Sequence, residues 1–201
     1  MKTTQFFASL LTVSVLSFNC GGKSAEEEAK EAPQNFLEGV EKLTKDMEKT
    51  AKDGPKETID PKKLKELLPT DADGLDRKES SSEKTATMGF GISTAYGRYS
   101  DDKDQNIDIN IIDAAGTGLA MMGMAAWTMA SVDKETDNGY EKTTEYEGYK
   151  AYEKYDTKNK DGEISVMVAN RYIVEIKGRG VSMDKIKATL KDIDLDKLKG
   201  L

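Results

Sequence analysis

The sequence predicts an α+β fold: one antiparallel sheet of about five or six strands, covered by a buried helix and a C-terminal helix and preceded by an N-terminal helical segment. Three observations carry that prediction. A two-residue periodicity runs through 86–97 and 107–111, and Tyr- and Ile-rich stretches follow between 140 and 177, as half-buried strands require. An unbroken apolar run, 118–130 (GLAMMGMAAWTMA), is shorter than the roughly 20 residues of a membrane span and fits a helix lying buried across the sheet. Beyond Ser182, the residues Ile186, Leu190 and Ile193 recur at helical spacing.

Residues 1–19 (MKTTQFFASLLTVSVLSFN) place Lys2 ahead of an apolar stretch, the shape of a secretory signal peptide. Residues 20–34 are small and charged, with the run Glu26-Glu27-Glu28, and predict a flexible acidic tether. A helical segment occupies 35–69. Asn35 and Glu38 stand as a capping box, Phe36, Val40, Leu43 and Met47 form a narrow stripe, and Asp53-Gly54-Pro55 stops the helix. Asp60-Pro61 opens a second short helix that Pro69 ends.

The α+β domain is predicted over 70–201. Its first stretch, 70–83 (TDADGLDRKESSSE), is polar and turn-rich and is expected to be a loop. One long strand then spans 86–97, with Phe90, Ile92, Thr94 and Tyr96 on one side and only Gly91, Ser93, Ala95 and Gly97 on the other. That small side predicts close approach of a helix or another backbone. Ile107, Ile109 and Ile111 give a strand expected to pair antiparallel with it across 101–106. Trp127, the single tryptophan, belongs in the core of the 118–130 helix. Strands at 140–146, 149–155, 163–169 and 172–177 form a meander with turns at 147–148, 159–162 and 170–171. Ser182 caps the last helix and Val181 can staple against Ile186.

Charged residues are 33% of the chain and the net charge is −7, unsuited to a general nucleic-acid binder, so none is expected as a partner. With no histidine and one cysteine, most metal and acid–base chemistry is missing and an intrachain disulfide is impossible. Gly116-x-Gly118 sits between a strand and a helix as in a dinucleotide site, but Met121 stands where the third glycine belongs. Asp102, Asp104, Asn106 and Asp108 alternate like the first half of a calcium loop, with Asp113 at the twelfth place. Ile107 occupies the obligatory glycine position, so a polar hairpin turn is expected instead.

Ser93, Ser165 and Ser182 have no histidine to activate them. Met121, Met122, Met124 and Met129 lack His or Cys companions and fit a pliable core rather than a soft-metal site. Arg171, expected in a hairpin turn, and Arg179 are of the type that grips a carboxylate or phosphate in bidentate fashion. No catalytic, cofactor-binding or metal residue is assigned, and no cofactor is expected.

Leu16-Ser17-Phe18-Asn19-Cys20-Gly21-Gly22 resembles the lipobox of bacterial lipoproteins, with Asn19 where the pattern has a small residue. The resemblance implies cleavage before Cys20, acylation of that cysteine and attachment to the lipid bilayer. Gly21 implies sorting to the outer membrane, with the periplasmic or surface face open. Leu67-Leu68-Pro69, the strand ending at Tyr99, the strand 107–113, the Ala- and Met-rich run and Asn170-Arg171-Tyr172-Ile173-Val174-Glu175 resemble a group of uncharacterised bacterial envelope lipoproteins over roughly residues 65–201. The expected function is a non-enzymatic, membrane-anchored binding or structural module whose partner is an envelope protein or a small ligand. The alternative is an envelope hydrolase working through carboxylates or a Ser-Lys pair.

Overall fold

The computed structural model describes residues 57–87, 90–101, 104–114 and 131–201, with backbone alone at 86, 87 and 90. The chain divides into compact units at 1–38 and 39–201, and every described residue lies in the second. The signal peptide, Cys20, the tether, the helix expected from Asn35, Asp102, Gly116-x-Gly118, Trp127 and the rest of the 118–130 run lie outside the described residues.

Nine strands form one sheet: β1 (Asp71–Ala72), β2 (Leu75–Thr87), β3 (Phe90–Ser100), β4 (Asn106–Asp113), β5 (Asp133–Thr136), β6 (Gly139–Tyr146), β7 (Tyr149–Asp156), β8 (Asp161–Val168) and β9 (Tyr172–Arg179). Their spatial order is β1-β2-β3-β4-β9-β8-β7-β6-β5, and every pairing is antiparallel. Two meanders therefore meet at a central seam. β1 to β4 walk in from one edge; after β4 the chain passes to the far edge, starts again at β5 and walks back until β9 pairs with β4. Tight turns make this possible. Asp73-Gly74, Glu147-Gly148 and Ala169-Asn170 all take positive φ, the backbone hand that closes a hairpin without splaying its strands.

Among the described residues three short helices accompany the sheet: α1 (Pro61–Lys65), α2 (Met183–Lys191) and α3 (Leu195–Lys199). Each starts at a side-chain cap. Asp60 accepts from the Lys62 N–H with Pro61 beside it, Ser182 from Lys185 and Asp194 from Lys197. α1 packs on β2, β3 and β4, while α2 packs on β8 and β9 and α3 on β8. All three serve one face of the sheet, where Leu64, Leu67, Leu68, Tyr99, Ile107, Ile109, Ile111, Ile164, Val166, Val174, Ile176, Ile186, Leu190 and Leu198 make a continuous buried core.

The expectation of five or six strands covered by helices is overturned. The described helices are short, and the sheet has nine strands because two polar stretches are strands. The stretch 70–83, expected as a loop, contains β1 and most of β2. Its alternation is hidden because the helix-side positions of β2 are Ser80, Ser82 and Lys84. These sit under hydrophilic neighbours: Lys65 Nζ donates to the Ser80 carbonyl at 3.1 Å and Lys84 Nζ to the Thr58 carbonyl at 3.3 Å. β5 is exposed at every position, so nothing in its DKET sequence marks a buried side. The single strand expected over 86–97 is in fact two. Ala86 and Thr87 end β2, and β3 starts afresh at Phe90, opposite Thr87.

The two sides of β3 are also inverted relative to bulk. Ser93, Ala95 and Gly97 face the helices, and the larger Thr94, Tyr96 and the 42% exposed Ile92 face away. The small side does meet close neighbours, as expected: a Cβ on Gly91 would come within 3.2 Å of the Thr58 hydroxyl. Three further expectations match the structure. These are the β3–β4 pairing, the meander from 140 onward, and the C-terminal helix with Ser182 as cap and Val181 beside Ile186.

Candidate interaction surface

Strand alternation delivers a second face, opposite α1, α2 and α3, on which cross-strand register arranges side chains in rows. The lowest row crosses eight strands: Glu79, Arg98, Asp108, Lys177, Glu163, Lys154, Glu141 and Lys134 stand directly opposite one another in sequence from β2 to β5. Their signs alternate without a break, negative to positive. Arg98 Nε reaches Asp108 Oδ1 at 2.9 Å, Lys154 Nζ reaches Glu141 Oε1 at 3.2 Å, and Lys134 and Lys177 lie 3.8 and 3.9 Å from Glu141 and Glu163. Each such exposed pair contributes about 0.2–1 kcal/mol. The row's larger effect is on register, since a slip by one strand position would break every pair at once.

Three of the four acids are more sheltered than the cations they meet: Asp108, Glu141 and Glu163 are roughly a quarter exposed, against about half for Arg98, Lys154 and Lys177, while Glu79 at the β2 end is exposed. The titration behaviour follows. A hydrogen bond from Lys154 holds the Glu141 carboxyl below its ordinary range, and the same bond raises Lys154. The hydrogen bond to Asp108 raises Arg98, and one to Glu175 raises Lys177.

A middle row is polar and largely uncharged: Ser81, Tyr96, Asn110, Glu175, Ser165, Tyr152 and Thr143. It braces the charged row. The Tyr96 hydroxyl donates to Asp108 at 2.7 Å, Tyr152 donates to Glu141 at 3.3 Å and Asn110 to Glu175 at 3.2 Å. Burial first, and then the Asp108 carboxylate, push the Tyr96 phenol up to about 12, so it stays a donor across the neutral range. The third row, at the end where β4 finishes, turns apolar: Thr94, Ile112, Ile173 and Met167.

On the helix side, two buried carboxylates are occupied in holding the chain to itself. Asp113, fully buried at the end of β4, receives Arg171 Nε and Nη2 at 2.8 and 2.7 Å and the Ile59 N–H at 2.8 Å. Ser93 Oγ donates to the Ile59 carbonyl at 2.6 Å and Arg171 reaches the Glu57 carbonyl, so residues 57–59 are clamped across β3 and β4. Glu153, 1% exposed, accepts from the Tyr140 hydroxyl, has Lys187 Nζ of α2 at 2.9 Å and Lys142 Nζ at 3.8 Å. It ties α2 to the outer strands, and burial followed by the Glu153 bond raises the Tyr140 phenol.

The sequence-predicted candidates are thus dispersed. Arg171 does lie in a turn and does grip a carboxylate with two bonds, but the carboxylate is the chain's own Asp113. Arg179 ends β9 opposite Asn106. Asn106, Asp108 and Asp113 lie along a straight strand paired on both sides, with Asp108 and Asp113 on opposite faces. Ser93 is spent on Ile59, Ser182 on its helix cap, and Ser165 Oγ lies 3.4 Å from Glu163. Among the described residues no cluster of three or more His, Cys, Asp or Glu could hold a metal, and no helix is long and apolar enough to cross a membrane. The charged row went unseen in the sequence because each member is an ordinary Lys, Arg, Glu or Asp on a different strand. Comparison with protein-family models, curated proteins and solved structures finds no match for the chain.

Proposed function

We propose that the chain is a non-enzymatic lipoprotein of the bacterial cell envelope, held in the outer membrane by acylated Cys20, whose sheet domain binds another envelope protein through its charge-alternating face. The observation that carries this reading is the eight-strand row from Glu79 to Lys134. A row of balanced, alternating sign gives no net pull on a polyanion or an anionic bilayer, whereas a protein surface with its own alternation can match it charge for charge. An acyl chain contributes about 0.8 kcal/mol per buried methylene, so a doubly or triply acylated Cys20 anchors the acidic chain without help from headgroup electrostatics.

Two measurements test the proposal. A photocrosslinking residue at position 154, introduced in cells expressing the full chain, is expected to give a discrete adduct with one envelope protein, weakened by Lys177→Glu. No adduct, or one indifferent to that reversal, would overturn the binding reading. Cys20→Ala is expected to abolish acyl labelling and detergent-phase partitioning; a variant that still partitions would overturn the anchor.

A further inference from the structure

We infer that the partner of the charged row is a second copy of this chain, packed face to face about a two-fold axis that runs along the strands between β9 and β8. This rests on the binding role proposed for the face and names what fills it. Symmetry of sign carries it. The row has eight members of strictly alternating charge and therefore ends of opposite sign, Glu79 on β2 and Lys134 on β5. A two-fold axis along the strands reverses the order of the row, so the first member meets the eighth and the third meets the sixth. Every cation then lies over an anion: Lys177 over the second copy's Glu163, Asp108 over its Lys154 and Glu79 over its Lys134. An odd number of members would have set like on like throughout, and so would an axis along the row itself.

The cations are within reach of such a contact, since Arg98, Lys177, Lys154 and Lys134 keep between 49 and 62% of their side-chain surface in solvent. Seven inter-strand steps of about 4.8 Å make the row roughly 34 Å long. Charged and middle rows together are about 14 Å deep, which gives roughly 480 Å² per copy, below the roughly 800 Å² of a standard interface. An association of that size needs its copies held close together, and two chains tethered in one bilayer by acylated Cys20 are so held. The axis also keeps the chain entries together. Residues 57–59 are clamped at Asp113, five residues beyond Asp108 along β4. Rotation about the strand direction leaves that end of the sheet where it is in both copies, so both Glu57 residues lead away on the same side, as suits two anchors in one membrane. Turning the second copy end for end would send them in opposite directions.

Photocrosslinking in membranes from cells that co-express two differently tagged full chains tests the pairing. A crosslinking residue at position 134 of one chain is expected to give an adduct that carries both tags and joins β2 of the other chain around Glu79. Those positions lie seven strands apart within one chain, so the adduct cannot be internal. Lys154→Glu in both chains is expected to lower its yield about tenfold, and adding Asp108→Lys to both is expected to restore most of it. Restoration can come only through a second copy. Within one chain 108 and 154 are three strands apart, and each reversed residue stands there between two like charges. If Asp108→Lys does not fold, Arg98→Glu with Glu141→Arg repeats the swap across the second and seventh members of the row. An adduct joining 134 to 134, or a loss that the second reversal does not repair, overturns the inference. An adduct with a different protein alone also overturns it but leaves the binding role of the face standing, whereas no adduct from 134 or from 154 overturns both.

Discussion

The carboxylate of Asp113 and the guanidinium of Arg171, 58 residues apart in sequence, form a two-bond fork at 2.8 and 2.7 Å across the central seam of the sheet. Asp113 has no exposed surface and Arg171 is 26% exposed. Removing the cation strands a buried carboxylate that also holds the Ile59 N–H.

Arg171→Ala is therefore expected to cost about 3 kcal/mol, at the low end for breaking a buried pair because the guanidinium keeps some solvent. Arg171→Lys should recover only part, since an ammonium cannot reproduce the fork. Urea unfolding measures both. Limited proteolysis should show cleavage near residues 57–60 appearing in Arg171→Ala before the sheet unfolds. Equal stability of the three proteins would refute this account.

Gly162 and Gly178 stand opposite each other on β8 and β9, under α2. A Cβ on Gly178 would collide with Val181 Cγ2 and lie 2.8 Å from Ile186 Cδ1; one on Gly162 would lie 2.8 Å from the same Ile186 atom. Gly178→Ala is expected to lower stability by about 1–3 kcal/mol through overpacking. Pairing it with Ile186→Val should return part of that loss, a coupling that a thermal-melt double-mutant cycle would reveal. Additive losses would mean that α2 does not sit in the glycine notch.

The hydroxyl of Tyr146 is buried and finds no partner among the described residues. Burial pushes its phenol from 10.0 up to about 12. The unfolded chain thus releases this proton first: stability is complete below pH 10 and is lost as pH rises toward about 12. Tyr146→Phe should be neutral or stabilising by up to about 1 kcal/mol near pH 7, because no bond is lost, and should make the alkaline loss shallower. Chemical denaturation at a series of pH values provides the check; a large loss at neutral pH would show that the hydroxyl has a partner after all.

Lys177 stands between Asp108 and Glu163 in the charged row and also bonds Glu175 at 2.8 Å. Lys177→Glu would set four carboxylates together and should cost about 1 kcal/mol, an effect that shrinks in high salt because the side chain is half exposed. Adding Glu163→Lys should restore part of it. Denaturation midpoints at low and high salt distinguish this from a packing defect, which salt would not relieve.

What the residue pattern disclosed followed from where apolar side chains were needed. β4 and the meander from β6 to β9 could be traced because Ile107, Ile109, Ile111, Val174 and Ile176 must alternate to fill a core. β2 could not, because an outer strand whose helix side is Ser80, Ser82 and Lys84 needs no apolar alternation. β3 was legible in part: its small side predicts the close approach that admits Thr58 and α1, whereas the division of 86–97 between β2 and β3 left no mark in the alternation. The fork at Arg171 could be anticipated from side-chain type alone, yet its acceptor could not, because only the fold brings Asp113 beside it. The charged row was invisible for the same reason: eight unremarkable residues acquire order only through register.

The seam between β4 and β9 also governs when the sheet can close. β9 is the last strand to be made, and until residue 179 is available the first meander lacks the neighbour that covers Ile107, Ile109 and Ile111. Contacts so distant in sequence form late and slowly. Each meander can therefore form on its own local hairpins first, and the seam that joins the two halves closes last.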